Sequence, residues 1–313
     1  FACVFPGQGS QSIGMMDGYA GFPVVRETFA EASDILGEGF WEMVRDGPAD
    51  KLNLTVNTQP LMLMAGIAVY RAWNTLGNVK AAFVAGHSLG EYTALVASGA
   101  LAFGDALPLV RFRAEVMQQA VPEGSGAMAA ILGLDDEVVR SICNEVTHSS
   151  HGESLEPANF NSPGQIVIAG HKNAVLRGME LAKSAGAKRA IMLPVSIPSH
   201  CSLMSQAAER MHERLEGLTL GTPGIPLLHN ADVQQHEDPE SIKQALVRQL
   251  FSPVRWTEII RSFADAGIIY VVECGPGKIL SGLNKRISTN LQSLALTDGA
   301  AILNANSILM QNE

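Results

Sequence analysis

Short uninterrupted apolar runs alternate along this chain with longer stretches whose apolar residues return every third or fourth position. Phe1 to Phe5 (FACVF) and Ala81 to Ala85 are runs of the first kind and predict strands buried on both faces. Gln59-Pro60 opens a stretch of the second kind, an apolar helix through about Trp73, with proline placed where a missing N–H costs nothing. Asp105 supplies the cap of a further helix that runs to about Gln119. Strand followed by helix, repeated, predicts an α/β fold on a mostly parallel sheet covered on both faces.

The rhythm changes in the middle. GAMAAILGL (Gly126 to Leu134) is strand-like, DDEVVRSICNEV helical, and PANF and QIVIAG are strands joined by the turn Asn161-Ser162-Pro163-Gly164. KNAVLRGMELAKSAG is then helical and KRAIMLPV a strand. The order β-α-β-β-α-β is that of a ferredoxin-like unit. It is an insertion, because α/β patterning resumes with a helix from about Cys201 to Leu215 and with the strand-like IPLLHN and GIIYVVECGPG. That helix places Met204, Ala208, Met211 and Leu215 on one face. The division predicted is residues 1–124 with 196–313 as a large α/β part and 125–195 as an inserted subdomain, with a cleft between them as the place for a site.

Composition narrows the function classes. With 313 residues, 47% hydrophobic and 17% charged, the chain can bury a large core. Its longest dense apolar run, Leu61 to Tyr70, is too short to cross a bilayer, and FACVFPGQG has no basic segment ahead of a long apolar core. These features predict a soluble cytoplasmic protein that has no need of a membrane, and nothing calls for more than a monomer. Lys+Arg 22 against Asp+Glu 31 gives a net charge of −9 with no basic block, which argues against nucleic acid as partner. Cys3, Cys143, Cys201 and Cys274 are scattered without a CxxC pair, so they read as buried thiols in a reducing compartment rather than disulfides or metal ligands.

The chemistry sits in GHSLG, Gly86 to Gly90, between an apolar strand and a helix. A Gly-x-Ser-x-Gly elbow needs that context, with glycines where a side chain would collide with the strained backbone, and Ser88 is therefore the expected nucleophile. His87 is too close in sequence to turn back on Ser88 and reads as structural. A serine hydroxyl needs a base. His148, His151 and His236 lie in polar loops, His171 begins a surface helix, His212 is on a solvated face and His229 reads as a core or sheet-end histidine. His200 follows Pro198 and Ser199 at the exit from the insertion, facing the cleft, and is the base by position. Arg113 has Leu109, Val110, Val116 and Met117 as its helical neighbours, so its guanidinium is on a buried face and needs an anion. Two readings stay open: a core arginine that pairs with a structural carboxylate or snorkels out to solvent, or a fork for the carboxylate of a substrate. PGQGSQS fails as a dinucleotide loop, because Ser12 stands at the third glycine. Its bare turn suits an oxyanion instead, with Gln8 and Leu89 offering backbone N–H groups.

With these residues in hand, FPGQGSQ, GHSLGEYTALVASG, RFRAEVMQ, NFNSPGQIVIAG, LPVSIPSHCSLM and QLFSPVRW together resemble the malonyl-CoA:acyl carrier protein transacylases of bacterial type II fatty acid synthesis. The resemblance runs from Phe5 to about Lys285. It implies an α/β-hydrolase-like domain with a ferredoxin-like insertion, Ser88 as nucleophile, His200 as base, Arg113 as carboxylate anchor and the Gln8 and Leu89 amides as oxyanion donors. It also implies that the main-chain carbonyl of Gln249 orients the histidine, and that Gln59 and Asn161 line the pocket. The substrates implied are malonyl-CoA and phosphopantetheinylated acyl carrier protein, with no bound cofactor or metal. The carrier is acidic, and Lys188-Arg189 and Lys285-Arg286 are the short basic clusters expected at its docking surface. A serine esterase or thioesterase shares the elbow, but it would bring an acid between Ser and His and a histidine near the C-terminus, and would leave Arg113 unexplained. A polyketide-type acyltransferase shares every one of these residues, and a non-catalytic carrier scaffold would form no acyl adduct.

Overall fold

The computed structural model describes residues 1–77, 80–150, 152–195 and 197–311. His151, and Ser196 at the expected boundary of the insertion, lie outside the described residues. Four short strands build the first sheet: β1 (Ala2–Phe5), β2 (Phe83–Gly86), β7 (Tyr270–Glu273) and β8 (Gln292–Ala295), in the order β2-β1-β7-β8 and all parallel. Val4 is in register with Ala85 on one side and Glu273 on the other, and all of β1 is buried, as its unbroken apolar run predicts. IPLLHN is no separate strand: Leu227 makes a single parallel bridge to Val84 and Leu228 an antiparallel one to Gln235.

The second sheet is antiparallel. Its strands β3 (Gly126–Leu132), β4 (Leu155–Ser162), β5 (Gln165–His171) and β6 (Arg189–Met192) run in the order β4-β5-β3-β6, the arrangement of a ferredoxin-like unit. The helices Asp136–Ser149 and Lys172–Ser184 cover one face, where Ala127, Ala129 and Ile131 pack. Met128 and Val167 point to the other face, with Ala158, Ala169 and Cys201. That second face looks toward the parallel sheet and forms one wall of the site.

Two helix starts differ from expectation. The long helix is Thr55–Asn74, so Pro60 lies inside it rather than at its start. It extends upstream because the polar residues there find partners: Asn57 Nδ2 donates to the Lys51 carbonyl at 2.8 Å and Thr58 Oγ1 to the Leu52 carbonyl at 2.7 Å. The next helix is Phe103–Gln119 with Ala102 at the cap, and Asp105 lies in its first turn, where its charge meets the helix dipole. The helix expected from Cys201 runs Ser205–Glu216 after a short 3-10 turn, with Met204, Ala208, Met211 and Leu215 all buried. No helix among the described residues is long and apolar enough to cross a membrane. The four cysteines are free and buried.

Candidate active site

Ser88 lies in the turn between β2 and the helix Gly90–Ala97 with φ +52°, in the left-handed region that side chains rarely adopt. The glycines on either side provide clearance. A Cβ on Gly86 would sit 1.8 Å from the Gly90 carbonyl, and one on Gly90 would sit 2.1 Å from the Phe5 carbonyl oxygen. Such a backbone costs about 1–3 kcal/mol, and hydrogen bonds from outside the turn hold it. The Ser88 amide donates to Asn230 Oδ1 at 2.7 Å, and Asn230 Nδ2 donates to the Gly86 carbonyl at 2.7 Å.

His200 also has positive φ, +63°, with its amide bonded to the Leu250 carbonyl at 3.0 Å. Its Nε2 is 2.7 Å from Ser88 Oγ, and its Nδ1 donates to the Gln249 carbonyl at 2.8 Å. A carbonyl only accepts, so it selects the tautomer with hydrogen on Nδ1 and a lone pair on Nε2 facing the hydroxyl. Burial, and after it the positive charge of Arg113, lower the histidine pKa to about 3, against the Gln249 carbonyl. The ring is therefore unprotonated at neutral pH, as a base must be.

Arg113 is 1% exposed. Its Nη1 donates to Gln59 Oε1 at 2.8 Å, and its Nη2 donates to Gln249 Oε1 at 3.0 Å and to Ser88 Oγ at 3.3 Å. The guanidinium lies 5.4 Å over the Tyr92 ring, and its Nε–H has no partner. Every acceptor it meets is neutral, and among the described residues it forms no ion pair. Of the two readings left open by the sequence, the core arginine that pairs with a structural carboxylate or snorkels out to solvent is not the one found.

A cavity of about 160 Å³ opens over these groups. Gln8, Gln59, Ser88, Leu89, Arg113, Met117 and His200 line it on one side, and Met128, Asn159, Leu193 and Val195 line it from the antiparallel sheet and the segment after β6. Leu89 is the cap residue of the elbow helix, so its amide stands at the open end of that helix. Asn161, expected in the lining, lies one layer back, with its Oδ1 2.7 Å from His87 Nε2. The register of β4 shifts between Phe160 and Ser162, which breaks the alternation that would have put Asn161 on the face of Asn159. His87 is held by that contact and by Trp256, 5.5 Å away between ring centres, and burial lowers its pKa.

Two further residues of the site, Asn230 and Glu91, went unread, and of Gln249 only the main-chain carbonyl was expected. Asn230 clamps the elbow, the side chain of Gln249 meets both Arg113 and the Ser88 carbonyl, and Glu91 lies behind them, bonded to His229. Asn230 and Gln249 are distant in sequence from Ser88, and no spacing rule links them to it.

The sequence model of the acyl transferase domain matches residues 2–290. The malonyl CoA-acyl carrier protein transacylase of Escherichia coli K12 is 50% identical over 303 residues, covering 96% of this chain and 97% of the relative. The chain belongs to this acyl transferase family. Among solved structures, the acyl-carrier-protein S-malonyltransferase of Burkholderia pseudomallei 1710b superposes with a TM-score of 0.95 at 54% identity, covering 97% of this chain and 98% of that one. A malonyl-transacylase solved in complex with a type II polyketide acyl carrier protein superposes with a TM-score of 0.95 at 49% identity, covering 97% and 98%.

In this acyl transferase the two basic clusters, far apart in sequence, lie at one end of the antiparallel sheet. Leu132 pairs with Arg189 on one side and Gln165 on the other, and Arg286 Nη1 donates to Gln165 Oε1 at 2.7 Å. Lys188 packs its stem over Gly133, and Lys188, Arg189, Lys285 and Arg286 are all exposed. Lys285 and Arg286 close the helix Ile279–Ile287.

Proposed function

We propose that this acyl transferase moves a malonyl group from malonyl-CoA to the phosphopantetheine thiol of acyl carrier protein through a malonyl-Ser88 ester, supplying fatty acid synthesis. One observation carries the reading: a buried guanidinium without a carboxylate partner stands 3.3 Å from a serine that is hydrogen-bonded to an unprotonated histidine. An acyl group with a free carboxylate supplies the missing anion, and it does so beside the nucleophile.

His200 Nε2 takes the Ser88 proton as Oγ attacks the thioester carbonyl, and the amides of Gln8 and Leu89 receive the oxyanion. When the intermediate collapses the C–S bond breaks, CoA leaves as thiolate, and it collects the proton from His200. The carrier thiol then gives its proton to His200 and attacks the ester carbonyl, and Ser88 leaves with that proton restored. The Gln249 carbonyl holds the ring in its working tautomer throughout, and Gln59 steadies Arg113. No bound metal or redox group takes part.

The acidic carrier docks on the face made by Lys188, Arg189, Lys285 and Arg286. Residues 125–195 act as a separate subdomain that closes the cavity against the large part, a single copy of the chain suffices, and the cytoplasm, where CoA thioesters are made, is the place of action.

Intact-protein mass spectrometry after brief mixing with malonyl-CoA, then with holo acyl carrier protein, tests the scheme. A malonyl-sized increment on Ser88 that passes to the carrier is the expected result. An increment lost to water at the same rate with or without carrier makes the protein a thioesterase, and no increment removes Ser88 from the chemistry.

A further inference from the structure

Glu91 stands in the first turn of the elbow helix and is fully buried. Its Oε2 accepts from the Asn230 amide at 3.0 Å and from Gln249 Nε2 at 2.8 Å, and its Oε1 lies 2.7 Å from His229 Nδ1. With the Asn230 amide and Gln249 Nε2 both donating to it, Oε2 serves only as an acceptor. Gln249 therefore has no freedom to flip. Its Nε2 faces two acceptors, Glu91 and the Ser88 carbonyl at 2.9 Å, so its Oε1 must face Arg113.

We infer that Glu91 is a positioning residue for acyl-group selection: through the Gln249 amide it holds the Arg113 guanidinium beside the nucleophile while keeping its own charge out of contact with it. A carboxylate placed directly on Arg113 would occupy the fork that the substrate needs, and a site with no carboxylate would leave the guanidinium with no buried countercharge. One amide between the two charges avoids both outcomes. The inference rests on Arg113 being the anchor for the malonyl carboxylate, and it predicts that Glu91 acts only through that anchor.

Glu91→Gln keeps the shape and removes the charge. The new amide offers one acceptor oxygen to the donors that Glu91 served, which releases Gln249 to turn its NH2 group against the guanidinium. Single-turnover acylation of Ser88 is measured with malonyl-CoA and with acetyl-CoA, which has no free carboxylate, for the natural protein, E91Q, R113A and the double variant. E91Q should slow malonyl acylation at least ~10-fold and acetyl acylation by less than ~3-fold, with no further malonyl loss when added to R113A. Equal losses on both substrates, no loss, or additive effects in the double variant would each overturn the inference. If R113A itself fails to separate the two substrates, the fault lies in the carboxylate-anchor reading and not in Glu91. Should E91Q not fold, Gln249→Met cuts the same link while keeping the carbonyl that His200 donates to. Because Gln249 Nε2 also holds the Ser88 carbonyl, both substrates should slow, malonyl-CoA at least ~10-fold more than acetyl-CoA, and equal loss on both would overturn the inference.

Discussion

At the scale of single residues, the proposed mechanism makes Arg113 a link between binding and the strength of the base. Its positive charge is the second cause, after burial, of the low pKa of His200. A malonyl carboxylate bound to Arg113 cancels that charge and so raises the histidine pKa. The acid limb of kcat, which reports the substrate complex, should therefore lie at higher pH than the limb of kcat/KM, which reports the free enzyme. Pre-steady-state acylation from about pH 2.5 to about pH 7, spanning the folded value of about 3 and the free value of ~6.5, measures both, and coincident limbs would uncouple the two residues. Stability follows with a definite sign. The unfolded chain protonates this histidine near its ordinary pKa of ~6.5, whereas the folded chain waits until about 3, so its contribution is intact above the first value and is lost as pH falls toward the second. Arg113→Ala removes a charged hydrogen bond of about 1.5–3 kcal/mol. Malonyl transfer should drop by at least ~10 to 150-fold, and acetyl transfer much less. Ser88, His200 and Arg113 were readable because each breaks a local pattern: a serine between glycines, a histidine after Pro-Ser, and a cation on an apolar helix face.

At the scale of elements, the elbow depends on backbone contact. A Cβ on Gly90 meets the carbonyl of Phe5, which belongs to β1 and has no rotamer with which to yield. Gly90→Ala should destabilise the protein by upwards of about 3 kcal/mol, read as a lowered Tm, and should abolish Ser88 acylation. The outer helix Gly299–Met310 offers a control, because Leu303 is 57% exposed and Leu303→Ala should change neither quantity appreciably. Among the strands, β1 was read within a residue and β3 through β6 in the right order, since period-two alternation and apolar runs leave a strong trace, whereas IPLLHN was read as a strand and makes only isolated bridges, and β8 went unread. Helix starts were read less well. Leu54 and Ala102 cap their helices without a side-chain bond, so there was no polar residue to mark either position. The shift in β4 that withdraws Asn161 comes from pairing with β5, which the strand alone does not announce.

At the scale of the whole molecule, the fold gathers groups that are remote along the chain. In the docking proposed above, an acidic protein takes an acidic carrier on a local basic face, and the row Arg189–Leu132–Gln165 extended by Arg286 is the candidate. Carrier KM should rise steeply with ionic strength, and charge reversal at Arg189 and Arg286 together should flatten that dependence while leaving Ser88 acylation rates unchanged at saturating malonyl-CoA. An unchanged salt response would move the docking face elsewhere. The sequence by itself determined the alternation of strands and helices, the change of rhythm that becomes the antiparallel sheet, the Gly-x-Ser-x-Gly elbow and the side chains whose chemistry suits attack, proton acceptance and anion binding, because these follow from periodicity, turn sterics and side-chain chemistry acting over a few neighbours. Only the tertiary structure decided that Arg113 meets no carboxylate among the described residues, that Asn230 and Gln249 lock the elbow and that Glu91 stands behind them. Those facts depend on distances between segments more than a hundred residues apart, and a buried charge finds its partners only when the core closes around it.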